Sequence, residues 1–143
     1  MSHICKNLLI RCMDFRLRSE LMKWVDESGL FEGGFDVIAV AGASKSLAED
    51  NYEIRDFFMQ QVSVSTELHS AVRAVIFHHS DCGAYAKEYD FATKEEEKTK
   101  QLDDMKTSRD LLKERYPDLE VILVWGDMQD EHGEKINFEI MKA

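Results

Sequence analysis

The stretch AVIFHHSDCGAYAKEY, residues 74–89, joins an apolar run to a segment that can begin a helix. Its first part, Ala74–His79, has the composition of a buried β-strand. Three more apolar runs of this kind occur along the chain, at Ile4–Cys12, Phe35–Gly42 and Leu119–Asp127. Continuous apolar runs suit strands that are buried on both faces, as in parallel sheets. The stretch and its three counterparts therefore predict a mainly parallel sheet of about four strands.

Segments of helical character separate these strands. Leu17, Leu21, Trp24 and Val25 follow a helical spacing, and Gly29 suits the end of that helix. Residues 44–71 are mostly helical in character, and residues 93–116 form a highly charged segment that we interpret as a helix with a solvated face. A thin apolar stripe runs along this last helix, at Leu102, Met105, Leu112 and Tyr116.

The C-terminal segment Ile136–Ile140 alternates apolar and polar residues like a half-exposed strand. We expect it to add to the sheet as an antiparallel edge strand. The predicted fold is thus α/β, with a central, mainly parallel sheet flanked by helices in a single domain over residues 1–143.

Composition narrows the function. The net charge of −10 argues against general binding to nucleic acid or to anionic membranes, because such binding depends on Lys and Arg. No apolar run is long enough to span a membrane, and we expect no signal peptide. Three cysteines do not form a disulfide framework, so we expect a reducing, cytoplasmic setting in which Cys with His indicates a metal site or catalysis.

Three potential metal ligands lie at the ends of predicted strands. Cys12 ends the first strand, His79 ends the third, and Cys82 follows directly in the loop. The carboxyl ends of neighbouring parallel strands meet at one edge of a sheet, so these side chains can converge there if the first and third strands are neighbours. Two thiolates and one imidazole suit Zn²⁺, and a set of three protein ligands leaves the open position that is typical of catalytic zinc.

Asp14 and Arg16 complete a C-x-D-x-R pattern with Cys12. If the chain is extended here, residues two apart share a face, which would place the pair near the metal. A carboxylate beside a guanidinium stays ionised and is oriented by bidentate hydrogen bonds. Asp14 could then orient a zinc-bound hydroxide, or it could bind the metal directly and close the site.

Other interpretations of these residues remain open. Any one cysteine or histidine alone is more often a buried core residue, and an Asp–Arg pair is often an ordinary surface ion pair. Cys12 and Cys82 could also form a redox pair, which would need neither His79 nor the C-x-D-x-R pattern. Cys12 and Arg18 match the spacing of a phosphate-binding cysteine loop, but the segment between them has no glycine and places Asp14 where a phosphate would lie.

The combination of C-x-D-x-R after a first strand with a later H-x-x-C-G resembles the β-class carbonic anhydrases. The resemblance extends to AVAGAS at residues 39–44, to residues 62–85 and to the closing hairpin at residues 119–140. It implies that Cys12, His79 and Cys82 bind zinc and that Asp14 and Arg16 form the catalytic pair. The implied reaction is the reversible hydration of carbon dioxide to bicarbonate and a proton, and the implied assembly is a homodimer or a higher homo-oligomer.

The resemblance also suggests where a small substrate would lie. Gly42 and Ala43, in the loop after the second strand, and Gly83, after the second cysteine, are candidate pocket residues. Met13 and Phe15 replace small polar residues that are usual inside C-x-D-x-R, and His78 replaces a usual glycine. This more apolar rim is consistent with carbon disulfide or carbonyl sulfide as an alternative substrate. His69, Tyr85 and exposed carboxylates are candidate proton relays.

Strand geometry also indicates that His78 and Cys5 do not bind the metal. Because successive side chains on a strand point to opposite faces, His78 should face away from the metal if His79 faces it. Cys5 lies too far along the first strand to reach the metal, and we interpret it as a small buried residue.

Overall fold

The computed structural model describes residues 3–142, which form a five-stranded sheet flanked by helices. The strands are β1 (Asn7–Cys12), β2 (Asp36–Val40), β3 (Arg73–His79), β4 (Glu120–Met128) and β5 (Ile136–Met141). The order across the sheet is β2-β1-β3-β4-β5, in which the first four strands are parallel and β5 is antiparallel to β4. The predicted α/β architecture, including its antiparallel edge, is confirmed.

The helices connect the strands in the order that the sequence predicts. They are α1 (Ser19–Ser28), α2 (Lys45–Ala48), α3 (Tyr52–Ser63), α4 (Gly83–Ala86) and α5 (Lys94–Arg115), with a π-helical turn at Val64–Leu68 after α3. No helix among residues 3–142 is both long and apolar enough to cross a membrane.

Local chemistry explains where the helices begin and end. Gly29 follows α1 with φ 72°, the left-handed conformation in which a residue without a side chain is least strained. The side-chain oxygens of Asn51 and Thr93 accept N–H groups at the starts of α3 and α5. Helix α5 also carries acidic residues in its first turn and Lys113 and Arg115 in its last, which complements the helix dipole.

The two faces of β3 pack against different elements. Phe77 lies on one face, where its ring contacts Phe138 of β5, and Phe138 stacks on Trp24 of α1 with ring centroids 5.1 Å apart. His78 lies on the other face and contacts α5. The strand is buried along almost its whole length, as its apolar run predicts.

One strand departs from the prediction. The apolar run at Phe35–Gly42 predicts a strand buried on both faces, but β2 lies at the edge of the sheet and its residues alternate between half-buried and exposed. Val37 is 52% exposed. One face of β2 packs on the core. The other face, which includes Val37, leaves apolar side chains exposed at the edge of the sheet.

Candidate metal centre

The structure brings Cys12, His79 and Cys82 together at the carboxyl edge of the sheet. Cys12 and His79 are the last residues of β1 and β3, which are parallel neighbours, and Cys82 immediately precedes α4. The potential ligand atoms of the three residues all lie within 4.8 Å of one another, and all three residues are buried. The topology supplies a convergence that sequence spacing alone could not.

The imidazole of His79 presents a free lone pair to the two cysteines. Its Nδ1 lies 2.7 Å from the Ser80 carbonyl oxygen, so Nδ1 carries the proton and Nε2 does not. Nε2 is buried without a hydrogen-bond partner among residues 3–142. A buried polar atom without a partner needs an explanation, and a bound metal ion supplies one.

The two cysteines have the spacing and the charge of a zinc site. Their sulfur atoms are 4.0 Å apart, close to the roughly 3.8 Å that two sulfurs at about 2.3 Å from a tetrahedral zinc would have. The hydrogen bond from Cys82, helped by the Gly42 N–H, lowers the pKa of Cys12 against the effect of burial. The same hydrogen bond raises the pKa of Cys82. The shared hydrogen bond therefore favours a thiolate at Cys12 over one at Cys82.

This donor set fits zinc. Two sulfurs and one imidazole nitrogen are ligands that zinc prefers, and a tetrahedral ion would have one position left. With zinc bound, both sulfurs would be thiolates, so loading the site would release any proton that the two cysteines still carry.

Asp14 lies beside the open side of this cluster and is held there by Arg16. Asp14 Oδ2 is 3.7 Å from His79 Nε2. Arg16 donates from Nε to Oδ1 at 3.1 Å and from Nη2 to Oδ2 at 2.7 Å. Burial alone would raise the pKa of Asp14, but the hydrogen bonds from Arg16 outweigh burial and lower it. Asp14 is thus a carboxylate with a fixed orientation.

The backbone around this pair differs from the extended geometry that we expected. Strand β1 ends at Cys12, and Asp14 and Arg16 lie in a turn that the Leu17 N–H closes on the Asp14 carbonyl oxygen. The Arg16 N–H also donates to Asp14 Oδ1 at 2.9 Å. The side chains meet because the turn folds them together, which an extended chain would not have done.

Two further residues hold Arg16 in place. Asp81, in the loop between the histidine and the second cysteine, accepts Nη1 at its carboxylate and Nη2 at its carbonyl oxygen. Gly133, in the hairpin between β4 and β5, packs on the Arg16 backbone so closely that a Cβ there would lie 2.4 Å from the Arg16 carbonyl oxygen. The hydrogen bonds to Asp14, and after them those to Asp81, raise the pKa of Arg16, so it stays charged.

The three predicted pocket residues have different geometries. Gly42, with φ 78°, donates its N–H to Cys12 Sγ at 3.4 Å, and a Cβ there would lie 2.9 Å from the Lys45 side chain. Ala43 is completely buried and also has a positive φ. Gly83 begins α4 with open space around its Cα. Gly42 therefore needs to be glycine, whereas the geometry at Gly83 does not require one.

His78 faces away from the cluster and is bound on both ring nitrogens. Its Nε2 accepts the Ser44 N–H at 3.2 Å and lies 2.8 Å from Ser44 Oγ, and its Nδ1 lies 2.9 Å from Gln101 Oε1 of α5. Burial lowers the pKa of His78 to about 4. His78 is therefore a neutral side chain that links β3 to α5.

Helix α5 contributes polar residues that the sequence interpretation missed. We predicted a solvated face and a stripe that includes Leu102 and Tyr116, but the buried residues of α5 also include Glu97, Gln101 and Ser108. These three belong to a polar series at spacings of four, three and four residues, namely Glu97, Gln101, Asp104 and Ser108. That helical period is the signal that could have revealed a buried polar face.

His69 and Tyr85, two of the candidate proton relays, are each bound to a carboxylate. His69 binds Asp36 at the amino end of β2, the opposite end of the sheet from the cysteines. The Tyr85 hydroxyl donates to Asp104 at 2.7 Å, and the residue is fully buried. Cys5 lies at the amino end of β1 as expected, although it is half-buried rather than buried.

The arrangement belongs to a recognisable class of site. Two cysteines, one histidine and a clamped carboxylate at the carboxyl edge of a parallel sheet have the layout of a mononuclear metal centre. The chain belongs to the family described as "Putative carbonic anhydrase", whose sequence model matches residues 2–136. The predicted resemblance to carbonic anhydrases is thereby confirmed.

Two curated relatives have similar sequences. An uncharacterized protein of Rickettsia conorii is 35% identical over 118 residues, which cover 80% of this chain and 63% of that protein. An uncharacterized protein of Rickettsia bellii is 33% identical over 118 residues, which cover 80% of this chain and 71% of that protein. The chain thus spans about two thirds of the length of these relatives.

Solved structures share the fold at low sequence identity. A carbonic anhydrase from Streptococcus mutans superposes with a TM-score of 0.62 at 18% identity, covering 99% of this chain and 84% of that one. One of two tetrameric β-carbonic anhydrases from Sordaria macrospora gives 0.54 at 15%, covering 99% and 83%. The apo form of a carbon disulfide hydrolase gives 0.51 at 11%, covering 89% and 76%.

Proposed function

We propose that this protein catalyses the reversible hydration of carbon dioxide to bicarbonate and a proton at a zinc ion held by Cys12, His79 and Cys82. The observation that carries the proposal is the buried His79 Nε2, which faces two cysteine sulfurs and lacks a partner among residues 3–142. Membership of the carbonic anhydrase family supports the same chemistry.

Zinc would supply the reactive water, since a zinc ion can lower the pKa of bound water from 15.7 to about 7. The chain supplies the surroundings. Asp14 accepts a hydrogen bond from the reacting water and orients it, and Arg16 keeps Asp14 ionised and in place. A small apolar substrate would lie beside the ligands, next to Gly42 and Gly83, whereas Ala43 has no exposed surface for it to contact.

A closed, non-catalytic site is less well supported. Closure would make Asp14 Oδ2 a metal ligand, in competition with the hydrogen bonds that it accepts from Arg16. Both carboxylate oxygens of Asp14 are hydrogen-bonded to Arg16, and Arg16 is itself bound to Asp81. The hydrogen bonds therefore favour the open arrangement.

Carbon disulfide or carbonyl sulfide is the second candidate substrate. Met13 and Phe15 flank Asp14 and are 64% and 83% exposed, so apolar side chains are available near the site to contact an apolar sulfur compound. The fold is also that of a carbon disulfide hydrolase. Stopped-flow hydration of carbon dioxide, with turnover of both sulfur compounds measured on the same zinc-loaded sample, decides between them. If a sulfur compound is turned over faster than carbon dioxide, that compound is the better substrate and the proposed reaction is wrong.

The protein acts as a homodimer or a larger homo-oligomer. Exposed apolar side chains follow one another at helical spacing along α3 and the π-helical turn, at Ile54, Phe57, Val64 and Leu68. Single exposed apolar residues are ordinary, but a series of this kind marks an interaction surface. Light scattering should show an assembly larger than one chain, and Phe57→Glu should reduce it. A monomeric wild-type protein would overturn this assignment.

A reducing compartment such as the cytoplasm fits the cysteines. Cys12 and Cys82 bind a metal only as thiolates, and an oxidising compartment would favour their oxidation. Localisation of the tagged protein by cell fractionation tests this proposal.

A further inference from the structure

We propose that Glu97 is a positioning residue that holds the metal-binding loop, residues 80–82, in its binding conformation already in the metal-free protein. This inference rests on the proposed metal centre and assigns a role to a helix that the proposed reaction does not otherwise use. Glu97 lies in the first turn of α5 and is only 8% exposed.

The carboxylate of Glu97 holds two backbone groups of the loop. Oε1 accepts the Asp81 N–H at 2.9 Å, and Oε2 accepts the Cys82 N–H at 3.1 Å. Burying a carboxylate costs free energy unless hydrogen-bond donors surround it. These two hydrogen bonds therefore fix both the Glu97 carboxylate and the loop backbone. The N–H of the second cysteine ligand is thereby tied to α5.

Gln101, one turn further along α5, ties the histidine side of the loop to the same carboxylate. Its Nε2 donates to the His79 carbonyl oxygen at 2.9 Å and to Glu97 Oε2 at 3.2 Å. Its Oε1 accepts the proton of His78 Nδ1 at 2.9 Å. One face of α5 therefore holds the backbones of His79 and Cys82 at a fixed separation.

The contacts of Glu97 also affect the position of the Asp14–Arg16 pair. Asp81 has φ 55°, a left-handed conformation that is uncommon for a residue other than glycine. Its N–H is bound by Glu97, and its carbonyl oxygen and carboxylate accept Arg16. By fixing Asp81, Glu97 fixes the surface on which Arg16 rests, and Arg16 in turn orients Asp14.

Glu97→Gln tests this role with little change in shape. The amide keeps one acceptor, but its NH₂ group meets a backbone N–H where a second acceptor is needed. We expect zinc affinity, measured by competition with a chromophoric chelator, to fall roughly 10- to 100-fold. The visible bands of the cobalt-loaded variant should also shift, because the geometry at Cys82 relaxes. Glu95→Gln, an exposed change two residues away, is the matched control and should leave both unchanged.

An affinity of Glu97→Gln within about twofold of wild type, with unshifted cobalt bands, would overturn the proposal. Hydrogen exchange on the wild-type protein gives a second test that needs no variant. In the metal-free protein, the Asp81 and Cys82 amides should exchange slowly, and rapid exchange there would contradict a preformed loop. Both readouts are independent of turnover. A wild-type protein that binds zinc but hydrates no carbon dioxide would overturn the proposed reaction and leave this inference standing.

Discussion

Arg16 binds both carboxylate oxygens of Asp14, at 3.1 Å through Nε and at 2.7 Å through Nη2. Held by Arg16, the Asp14 carboxylate lies 3.7 Å from His79 Nε2. This bidentate pair would keep the carboxylate beside the proposed metal ion without making it a ligand.

Loss of one proposed ligand should abolish metal binding. Purified wild-type protein should carry about one zinc per chain, and Cys12→Ser or His79→Ala should lose nearly all of it, because two remaining ligands form a weak site. Cys5→Ser is the matched control, since Cys5 lies at the other end of β1 and should leave the zinc content unchanged. Full zinc content in His79→Ala, measured by metal analysis, would rule out the proposed ligand set.

Release of Asp14 should inhibit the reaction without removing the metal. Arg16→Met removes the bidentate partner, so Asp14 becomes free to bind the metal. We expect hydration at neutral pH to fall by roughly 10- to 100-fold while zinc content stays constant. Arg18→Met changes an exposed arginine two residues away and should have little effect. Unchanged hydration by Arg16→Met would show that the pair is an ordinary ion pair.

Gly133→Ala should disturb Arg16, and Gly29→Ala provides a matched control. Both glycines have φ 72°, so each substitution carries the cost of a left-handed conformation, about 1 kcal/mol. A Cβ at Gly133 would also lie 2.4 Å from the Arg16 carbonyl oxygen, whereas one at Gly29 would meet nothing within 4 Å. Denaturant unfolding should show the larger loss of stability for Gly133→Ala, and only this variant should lose hydration activity. Equal behaviour of the two variants would contradict the proposed contact.

The ion pairs of Lys45 should stabilise the fold up to alkaline pH. Burial lowers the pKa of Lys45, but hydrogen bonds from Lys45 to Glu49 and Glu88 outweigh it, so the pKa in the folded protein is raised. A raised pKa means that the stabilisation is fully present below the unfolded value near 10.4 and is lost as pH rises through the folded value. Lys45→Met should therefore cost up to about 1 kcal/mol at pH 8.

The difference between wild type and Lys45→Met in free energy of unfolding should narrow above the unfolded lysine pKa. Lys87→Met, at a more exposed lysine, is the control and should change little at any pH. A difference for Lys45→Met that stays constant into the alkaline range would show that packing, and not charge, is responsible.

The strand-end residues could be predicted because parallel sheets place sites at one edge. Cys12 and His79 end apolar runs, and that position alone brings them together once β1 and β3 are neighbours. The exposure of Val37 could not be predicted, because an apolar run does not reveal whether its strand is central or at an edge.

The surroundings of the site were harder to predict for a different reason. Taken alone, a glutamate in a charged helix has the same sequence signature whether it is solvated or buried against two backbone N–H groups. Only its helical spacing with Gln101 and Ser108 carried a signal, and the interpretation of a solvated face overlooked it. The contact of Gly133 with Arg16 depends on how the β4–β5 hairpin folds back over the turn, which no local pattern encodes.

The most direct test of the central claim is stopped-flow hydration of carbon dioxide across pH, with zinc content measured on the same samples of wild type and Cys12→Ser. We predict that wild-type protein with about one zinc per chain accelerates hydration at pH 7 to 8, because the bound water ionises near pH 7. Cys12→Ser should have neither zinc nor activity. Wild-type protein that is fully loaded with zinc but gives only the uncatalysed rate at every pH would contradict the account.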